Sequence, residues 1–142
     1  MSLDPNKTYY LVEAHSGKGL SYEVYASYDY VREVEGPGTP LKFENLYGGQ
    51  SYKIIMTAHN WSGYKYLTIS GKNWIYLDSK DNATIWELER DNEGDLTLIN
   101  KKNISGNYWR YYESGSKKWL GTGEYSEGGQ SPTKRFKIIA AD

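Results

Sequence analysis

The sequence predicts an all-β chain folded as a β-trefoil, with twelve short strands in three pseudo-repeats of about 45 residues. No segment sustains the i, i+3, i+4, i+7 spacing of apolar residues that an amphipathic helix requires. Instead, short runs rich in Tyr, Trp, Val and Ile alternate with turns of Gly, Asn, Asp and Ser, which is typical of strands and hairpins. The chain also resembles itself in thirds, and this self-similarity selects the architecture.

The thirds end alike. Each closes with a strand that carries an aromatic residue: Phe43 in LKFENL, Trp86 in TIWELER and Phe136 in KRFKII. We therefore expect units at about 8–47, 51–90 and 94–140 within one domain that spans residues 1–142.

The thirds also begin alike, with a strand, a glycine-containing loop and a second strand. Leu20, Leu67 and Trp109 align in the second strands, and Tyr30-Val31, Trp74-Ile75 and Trp119-Leu120 open the third strands. A β-sandwich is the main rival, but it does not require threefold repetition. A four-bladed propeller needs more units, and a three-unit solenoid would leave both ends open.

The composition limits the class of partner. A formal net charge of −1, with both signs spread along the chain, gives no electrostatic footprint for nucleic acid or an anionic membrane. The five Trp and fifteen Tyr outnumber the two Phe, so most rings are amphipathic. Such rings suit either a recognition surface or the half-buried faces of a β-rich fold.

Cysteine is absent, and no signal-peptide pattern or long apolar run is visible. We therefore expect no membrane insertion, and a location in the cytoplasm or release without a signal peptide. The two histidines, His15 and His59, both fall in turns, so zinc sites and catalytic triads lack ligands. The sequence thus predicts a binding protein without metal or cofactor, and not an enzyme.

The strongest candidate site lies in the segment KYLTISGKNWIYLDSKD, residues 65–81. If Ile75 and Leu77 face inward, strand alternation places Trp74, Tyr76 and Asp78 on the opposite face. An aromatic ring can stack on the C–H face of a hexose, while carboxylate, amide and ammonium groups bind its hydroxyls. The candidate carbohydrate-binding residues are Lys72, Asn73, Trp74, Tyr76 and Asp78. The alternative is that Trp74, like Tyr30 and Trp119, closes the bottom of the barrel.

A second candidate site follows in the third unit, at Lys118, Trp119 and Tyr125. Here Leu120 and Thr122 are predicted to face inward and Trp119 outward. The glycine-rich segment after Trp119 is either a lid or a plain loop.

Two motifs resemble the agglutinin domain of amaranthin-like plant lectins. The first contains Tyr66, Leu67, Asn73, Trp74 and Ile75, and the second contains Trp109, Arg110, Tyr111 and Lys117. GKGLSY in the first unit is similar to the start of that domain. The resemblance implies a β-trefoil lectin that binds galactose or N-acetylgalactosamine glycans without metal, with Lys72, Asn73 and Trp74 at the sugar site. That family joins two such domains and forms its site between subunits, whereas this chain has one domain, so a homo-oligomer is one way in which the other half of such a site would be supplied.

Two other functions stay open. A β-trefoil can serve as a protein-interaction module, either a protease inhibitor or a fascin-like cytoskeletal binder. A glycosidase would need paired carboxylates such as Asp78 and Asp81, but spacing alone does not identify such a pair.

Overall fold

The computed structural model describes residues 3–100 and 107–141, so the predicted glycine-containing loop of the third unit, at 101–106, lies outside the described residues. The first unit contributes β1 (Tyr9–Glu13), β2 (Gly19–Tyr25), β3 (Tyr28–Val34) and β4 (Leu41–Leu46). The second contributes β5 (Ser51–Met56), β6 (Tyr66–Ile69), β7 (Ile75–Asp78) and β8 (Trp86–Arg90). The third contributes β9 (Leu96–Asn100), β10 (Asn107–Ser114), β11 (Lys117–Gly123) and β12 (Phe136–Ala140).

The first and last strands of each unit form a closed barrel. Antiparallel pairing runs from β1 to β4, β5, β8, β9 and β12, and then back from β12 to β1. Closure leaves no strand edge exposed along this ring. The only helical element in the described residues is a short 3-10 turn, Lys80–Asn82, and none of the described segments is a helix long and apolar enough to cross a membrane.

Three hairpins, β2–β3, β6–β7 and β10–β11, cover one end of the barrel. The contacts between the three hairpins are cyclic. Tyr30 pairs with Tyr76, Trp74 pairs with Gly121, and Trp119 pairs with Arg32. In each case the aromatic of one hairpin pairs with the residue two positions after the equivalent aromatic of the next hairpin. The equivalence of Tyr30, Trp74 and Trp119 and the β-trefoil fold are thus confirmed.

The core fills the barrel with the repeated aromatics. Phe43, Trp86 and Phe136 are completely buried, as is Trp109. The Trp109 ring lies edge-on to both Trp86 and Phe136, with centroids 5.3 and 5.6 Å apart. The Trp86 indole donates to the Leu67 carbonyl at 3.1 Å, so this ring is buried with its polar atom satisfied. Burial of each large side chain contributes about 1.5–3 kcal/mol, and the core joins all three units.

Strand alternation inside the hairpins also follows the sequence pattern. Ile75 and Leu77 are buried in β7, and Leu120 and Thr122 are buried in β11. Their neighbours Trp74 and Trp119 are half-buried at the outer surface of the hairpin cap.

A close backbone approach joins the base of the first hairpin to the segment before β4. Leu20 and Gly38 form a parallel bridge, and Gly38 has φ +80°. A Cβ at position 38 would lie 2.2 Å from the Leu20 carbonyl oxygen. Gly36 has nearly the same φ, +76°, but open space around it.

We therefore expect Gly38→Ala to destabilise the fold far more than Gly36→Ala. The left-handed backbone alone costs an alanine roughly 1–2 kcal/mol, and both variants bear this cost. Only Gly38→Ala must also displace the Leu20 backbone, so its loss should exceed that of Gly36→Ala by at least about 1 kcal/mol, as expected for overpacking. Urea unfolding of the two variants measures the difference, and equal losses would contradict the close approach.

Candidate binding cleft between the three hairpins

The three hairpins enclose a surface cleft of about 550 Å³. It is lined by Tyr25, Tyr30, Lys72, Trp74, Ser114 and Trp119, and we refer to it as the hairpin cleft. Two residues come from each unit. Lys72 and Trp74 of the first candidate site and Trp119 of the second are therefore brought together in one place.

The cleft exists because the hairpins differ in length. Strands β2 and β3 have seven residues each, and β10 and β11 have eight and seven, whereas β6 and β7 have four each. At about 3.3 Å per residue, three extra residues extend a strand by about 10 Å. The first and third hairpins form the walls, with Tyr25 and Ser114 at their tips, and the short middle hairpin supplies Trp74 to the floor.

The middle hairpin turn fixes the position of Lys72 and Trp74. The Ser70 hydroxyl accepts hydrogen bonds from the backbone N–H of Lys72 at 3.3 Å and of Trp74 at 3.1 Å. Asn73 takes φ +69°, a left-handed conformation that asparagine tolerates better than most residues. Its carbonyl accepts the backbone N–H of Thr122 at 2.8 Å, so the turn is bonded to the third unit. Asn73 therefore shapes the floor through its backbone.

A shared carboxylate ties the two walls together. Glu23 of the first hairpin accepts from Lys117 of the third at 2.7 Å and from Arg32 at 2.8 Å. The Lys117 hydrogen bond, ahead of the opposing cost of desolvation, lowers the pKa of Glu23 below its ordinary value. The bridge is partly exposed, so its energy is modest, but it restrains the distance between the walls.

The cleft presents polar atoms that are not engaged elsewhere. Among the described residues, the Lys72 ammonium has no carboxylate partner and the Trp74 indole N–H has no hydrogen-bond acceptor. The same holds for the hydroxyl groups of Tyr25 and Tyr30 within this part of the chain. The Trp119 indole makes only a long contact of 3.4 Å with the Ser114 carbonyl. The lining therefore combines ring faces with available donors and acceptors.

Tyr76 and Asp78 lie behind the cleft wall and do not line the cleft. The Tyr76 ring is 5.8 Å from that of Tyr30 and 5.4 Å from that of Tyr28. Asp78 is only 9% exposed, and it accepts from the Tyr76 hydroxyl at 2.5 Å and from the Ser79 backbone at 2.7 Å. Burial, with the Asp78 hydrogen bond second, raises the pKa of Tyr76. We expected Asp78 to offer a free acceptor beside Trp74. Instead, its carboxylate oxygens are used by these internal hydrogen bonds.

The three residues of the second candidate site are not brought together. Lys118 lies on the opposite face of β11 from Trp119, as strand alternation requires. Tyr125 packs against Tyr108, with ring centroids 5.3 Å apart, and its hydroxyl accepts from Arg135 at 3.0 Å. Tyr125 is outside the cleft, whereas Tyr25 and Ser114 line it and were missed by the sequence reasoning. They reach the cleft because the flanking hairpins are long, and in the first hairpin no Asn or Gly at the turn marks this length in the sequence.

The segment from 124 to 135 is bonded to the barrel. The Lys134 backbone donates to Trp109 at 2.9 Å, and Thr133 donates to Ser126 at 2.7 Å. Thr133 also bridges Arg110 of β10. These bonds favour a fixed loop over a lid.

No protein-family model and no curated protein sequence matches the chain. Several solved structures are similar in fold. The double-headed arrowhead protease inhibitor A, in complex with two trypsins, has a TM-score of 0.75 at 18% identity, covering 100% of this chain and 94% of the inhibitor chain. The bifunctional α-amylase/subtilisin inhibitor of rice, Oryza sativa, has a TM-score of 0.69 at 18% identity, with coverage of 96% and 92%.

Lysenin in complex with phosphocholine gives a TM-score of 0.76 at 12% identity. That match covers 99% of this chain and 46% of lysenin, so this chain spans about half the length of lysenin. The shared feature is the β-trefoil fold. At these identities the similarity extends to the fold alone, and the resemblance to the amaranthin-like domain stays a prediction.

The arrangement narrows the chemistry that the cleft can perform. No group of three or more His, Cys, Asp or Glu side chains in residues 3–100 and 107–141 is placed to hold a metal ion. The six lining residues include no carboxylate or imidazole, the groups most often used for general acid and base catalysis. The lining can stack a ligand on its aromatic rings, form hydrogen bonds with it and attract a negative group through Lys72.

Gly121 controls the position of the cleft floor. A Cβ at this residue would lie 2.5 Å from the Tyr112 ring and 2.9 Å from the Asn73 carbonyl oxygen. Tyr112 in turn packs edge-on against Trp74, with centroids 5.2 Å apart. The absence of a side chain at 121 therefore lets the third hairpin approach both the turn and the Trp74 platform.

We expect Gly121→Ala to displace the floor and to lower the free energy of unfolding by about 1–3 kcal/mol, as overpacking does. Near-ultraviolet circular dichroism should change because the Trp74–Tyr112 contact changes. Gly71→Ala is the control, since it lies in the same turn with nothing within 4 Å of its Cβ position. An unchanged spectrum for Gly121→Ala would disprove the role of Gly121 in holding the floor.

Proposed function

We propose that this protein is a metal-free carbohydrate-binding protein, a lectin, whose sugar site is the hairpin cleft. The observation that carries the proposal is the half-buried Trp74 ring beside the unpaired Lys72 ammonium, with Tyr30 and Trp119 lining the same cleft. The proposed ligands are glycans that contain galactose or N-acetylgalactosamine.

The chemistry of a hexose suits this lining. One face of a pyranose ring is a patch of C–H groups that stacks on an indole, and the other positions carry hydroxyls that need directional partners. The Lys72 ammonium and the Trp74 indole N–H can donate, and the hydroxyls of Tyr25 and Tyr30 can donate or accept. The cleft volume falls in the range of about 300–1,000 Å³ found for small-ligand sites.

The galactose type of specificity is supported by the resemblance at Lys72, Asn73 and Trp74. In galactose the axial 4-hydroxyl leaves a continuous C–H face that a single indole can cover. The two hairpin walls, with the rings of Tyr25, Tyr30 and Trp119, restrict entry to a terminal or exposed sugar residue. Neighbouring glycan residues would then leave the cleft past the hairpin tips, where the Tyr25 side chain is 69% exposed.

We expect Trp74→Ala to weaken glycan binding by roughly 10- to 100-fold, equivalent to about 1.4–2.8 kcal/mol, because the stacking surface is lost. Isothermal titration calorimetry with lactose and N-acetylgalactosamine, guided by a glycan array, measures the change. Trp61→Ala is the matched control, since Trp61 is 42% exposed and is not part of the cleft lining. Thermal unfolding establishes that both variants remain folded.

Three outcomes would overturn the proposal. They are the absence of any glycan signal for the parent protein, equal losses in the two tryptophan variants, and stoichiometric inhibition of a serine protease without glycan binding. The last outcome would instead support the protein-interaction alternative, which is consistent with the inhibitors among the structural neighbours.

A quaternary ammonium ligand such as phosphocholine is a second candidate for the same cleft. Four aromatic side chains line the cleft, and aromatic rings attract such cations through their π faces. Lys72 could then contact the phosphate, and lysenin has been solved with phosphocholine in a similar fold. Titration with phosphocholine and with choline separates the candidates: tighter binding of phosphocholine, lost in Lys72→Gln, would favour this ligand over a neutral sugar.

A further inference from the structure

A second recess of about 500 Å³ lies on the other side of the β10–β11 hairpin from the cleft. Its lining includes Glu113 and Lys118 of the hairpin and Gln130, Ser131 and Lys134 of the loop that precedes β12. We refer to it as the loop recess. Glu113 and Lys118 occupy the strand face opposite to that of Ser114 and Trp119, so near the hairpin tip the two cavities use alternate residues of the same two strands.

Bonds between its loop and the hairpin hold the loop recess in shape. The Arg110 guanidinium donates to the Ser131 carbonyl, and Arg110 also bridges Thr133. On the other side, the Ser126 backbone donates to the Thr133 hydroxyl at 3.0 Å. The loop residues therefore do not need to be ordered by the ligand, which lowers the entropic cost of binding.

The charged side chains of the recess are not neutralised by one another. Glu113 and Lys118 are directly opposite in the strand register, yet among the described residues neither forms an ion pair or a side-chain hydrogen bond. Both are exposed. Opposite charges across a strand pair stabilise the sheet when they interact, and here the two unpaired groups instead offer one acceptor and one cation to a ligand.

A second cation and an unpartnered hydroxyl adjoin them. The Lys134 ammonium lies 5.9 Å from the centre of the Tyr111 ring and also acts on the Glu13 carboxylate. Tyr111 is 5% exposed, and its buried hydroxyl has no hydrogen-bond partner among the described residues. Within the recess itself, two lysines face one glutamate, so the local charge favours an anion.

We propose that the loop recess is a second ligand site, separate from the hairpin cleft, which binds a sugar residue carrying a carboxylate. The carboxylate of the sugar contacts Lys118 and Lys134. The Glu113 carboxylate accepts hydrogen bonds from the sugar hydroxyls, and the Gln130 amide donates to them or accepts from them. A neutral hexose lacks the group that the lysines attract, so the recess discriminates by charge where the cleft discriminates by stacking.

Galacturonate is the probe, and galactose, which differs at C6, is the matched neutral sugar. Because the hairpin cleft can also take a galactose-type ring, the recess is measured in Trp74→Ala. We expect galacturonate still to bind this variant, and to bind the Trp74→Ala/Lys118→Glu double variant at least tenfold more weakly. Lys72→Glu, which alters the cleft lysine, should leave this affinity unchanged. Calorimetry gives the affinities, and nuclear magnetic resonance shifts of the Glu113, Lys118 and Gln130 amides locate the ligand.

Salt provides an independent readout. Raising the ionic strength from about 0.05 to 0.5 M should weaken galacturonate binding several-fold, because exposed charge pairs are screened. Lys118 is exposed, so Lys118→Glu is expected to stay folded, with only a small fall in the unfolding temperature because the new carboxylate lies opposite Glu113.

The outcomes separate this proposal from that for the cleft. No galacturonate binding at millimolar concentration, or binding that is lost in Lys72→Glu or Trp74→Ala and kept in Lys118→Glu, would overturn the loop-recess site while leaving the cleft untouched. Competition by inorganic phosphate as strong as that by galacturonate would overturn the sugar assignment, because it would show that the anion alone is recognised. Loss of galactose binding in Trp74→Ala with galacturonate binding retained would support both sites.

Discussion

The cyclic contact among the three hairpins is the constraint on which the candidate site depends. Tyr30, Trp74 and Trp119 each pair with the following hairpin, so one aromatic from every unit is held at the same level around the pseudo-threefold axis. The closed barrel beneath fixes where each hairpin emerges. A perfectly symmetric cap would present three equal surfaces. Here the shortened β6–β7 hairpin breaks the symmetry and leaves the hairpin cleft between two longer walls.

The polar groups of the hairpins divide into those used by the fold and those left for a ligand. Asp78 and Glu23 are bonded internally, as is Asp29, which accepts from the Asn60 backbone at 2.8 Å. These carboxylates hold the walls and the neighbouring loop, because a carboxylate at a buried or half-buried position is costly unless it is hydrogen-bonded. In contrast, Lys72 and Lys118 have no ion-pair partners in the described part of the chain. The surface around both cavities is therefore locally rich in available cations, although the whole chain carries a net charge of −1.

Much of the fold could be predicted from the sequence because it depends on local periodicity and repetition. The alignment of Phe43, Trp86 and Phe136 located the closing strands, and alternation around Trp74 located its buried neighbours Ile75 and Leu77. Asp78 shows where this reasoning stops. Alternation gave its face of the strand, but its hydrogen bonds to Tyr76 and Ser79 depend on side-chain packing that a linear pattern does not contain. The grouping of Tyr125 with Trp119 was wrong for a similar reason, because the Tyr125 loop folds away from the cleft and its hydroxyl accepts from Arg135.

The residues that sequence reasoning missed are the ones set by hairpin length. Tyr25 reaches the cleft because the two-residue turn at Ala26 and Ser27 lets β2 and β3 pair along seven residues. Both turn residues have positive φ, at 51° and 71°, a conformation usually marked in a sequence by asparagine and glycine. With alanine and serine in these positions the turn carries no clear signal, and the wall that it extends is not evident. The strained turn thus places an exposed tyrosine at the mouth of the cleft, which is consistent with strain being retained where it positions a binding surface.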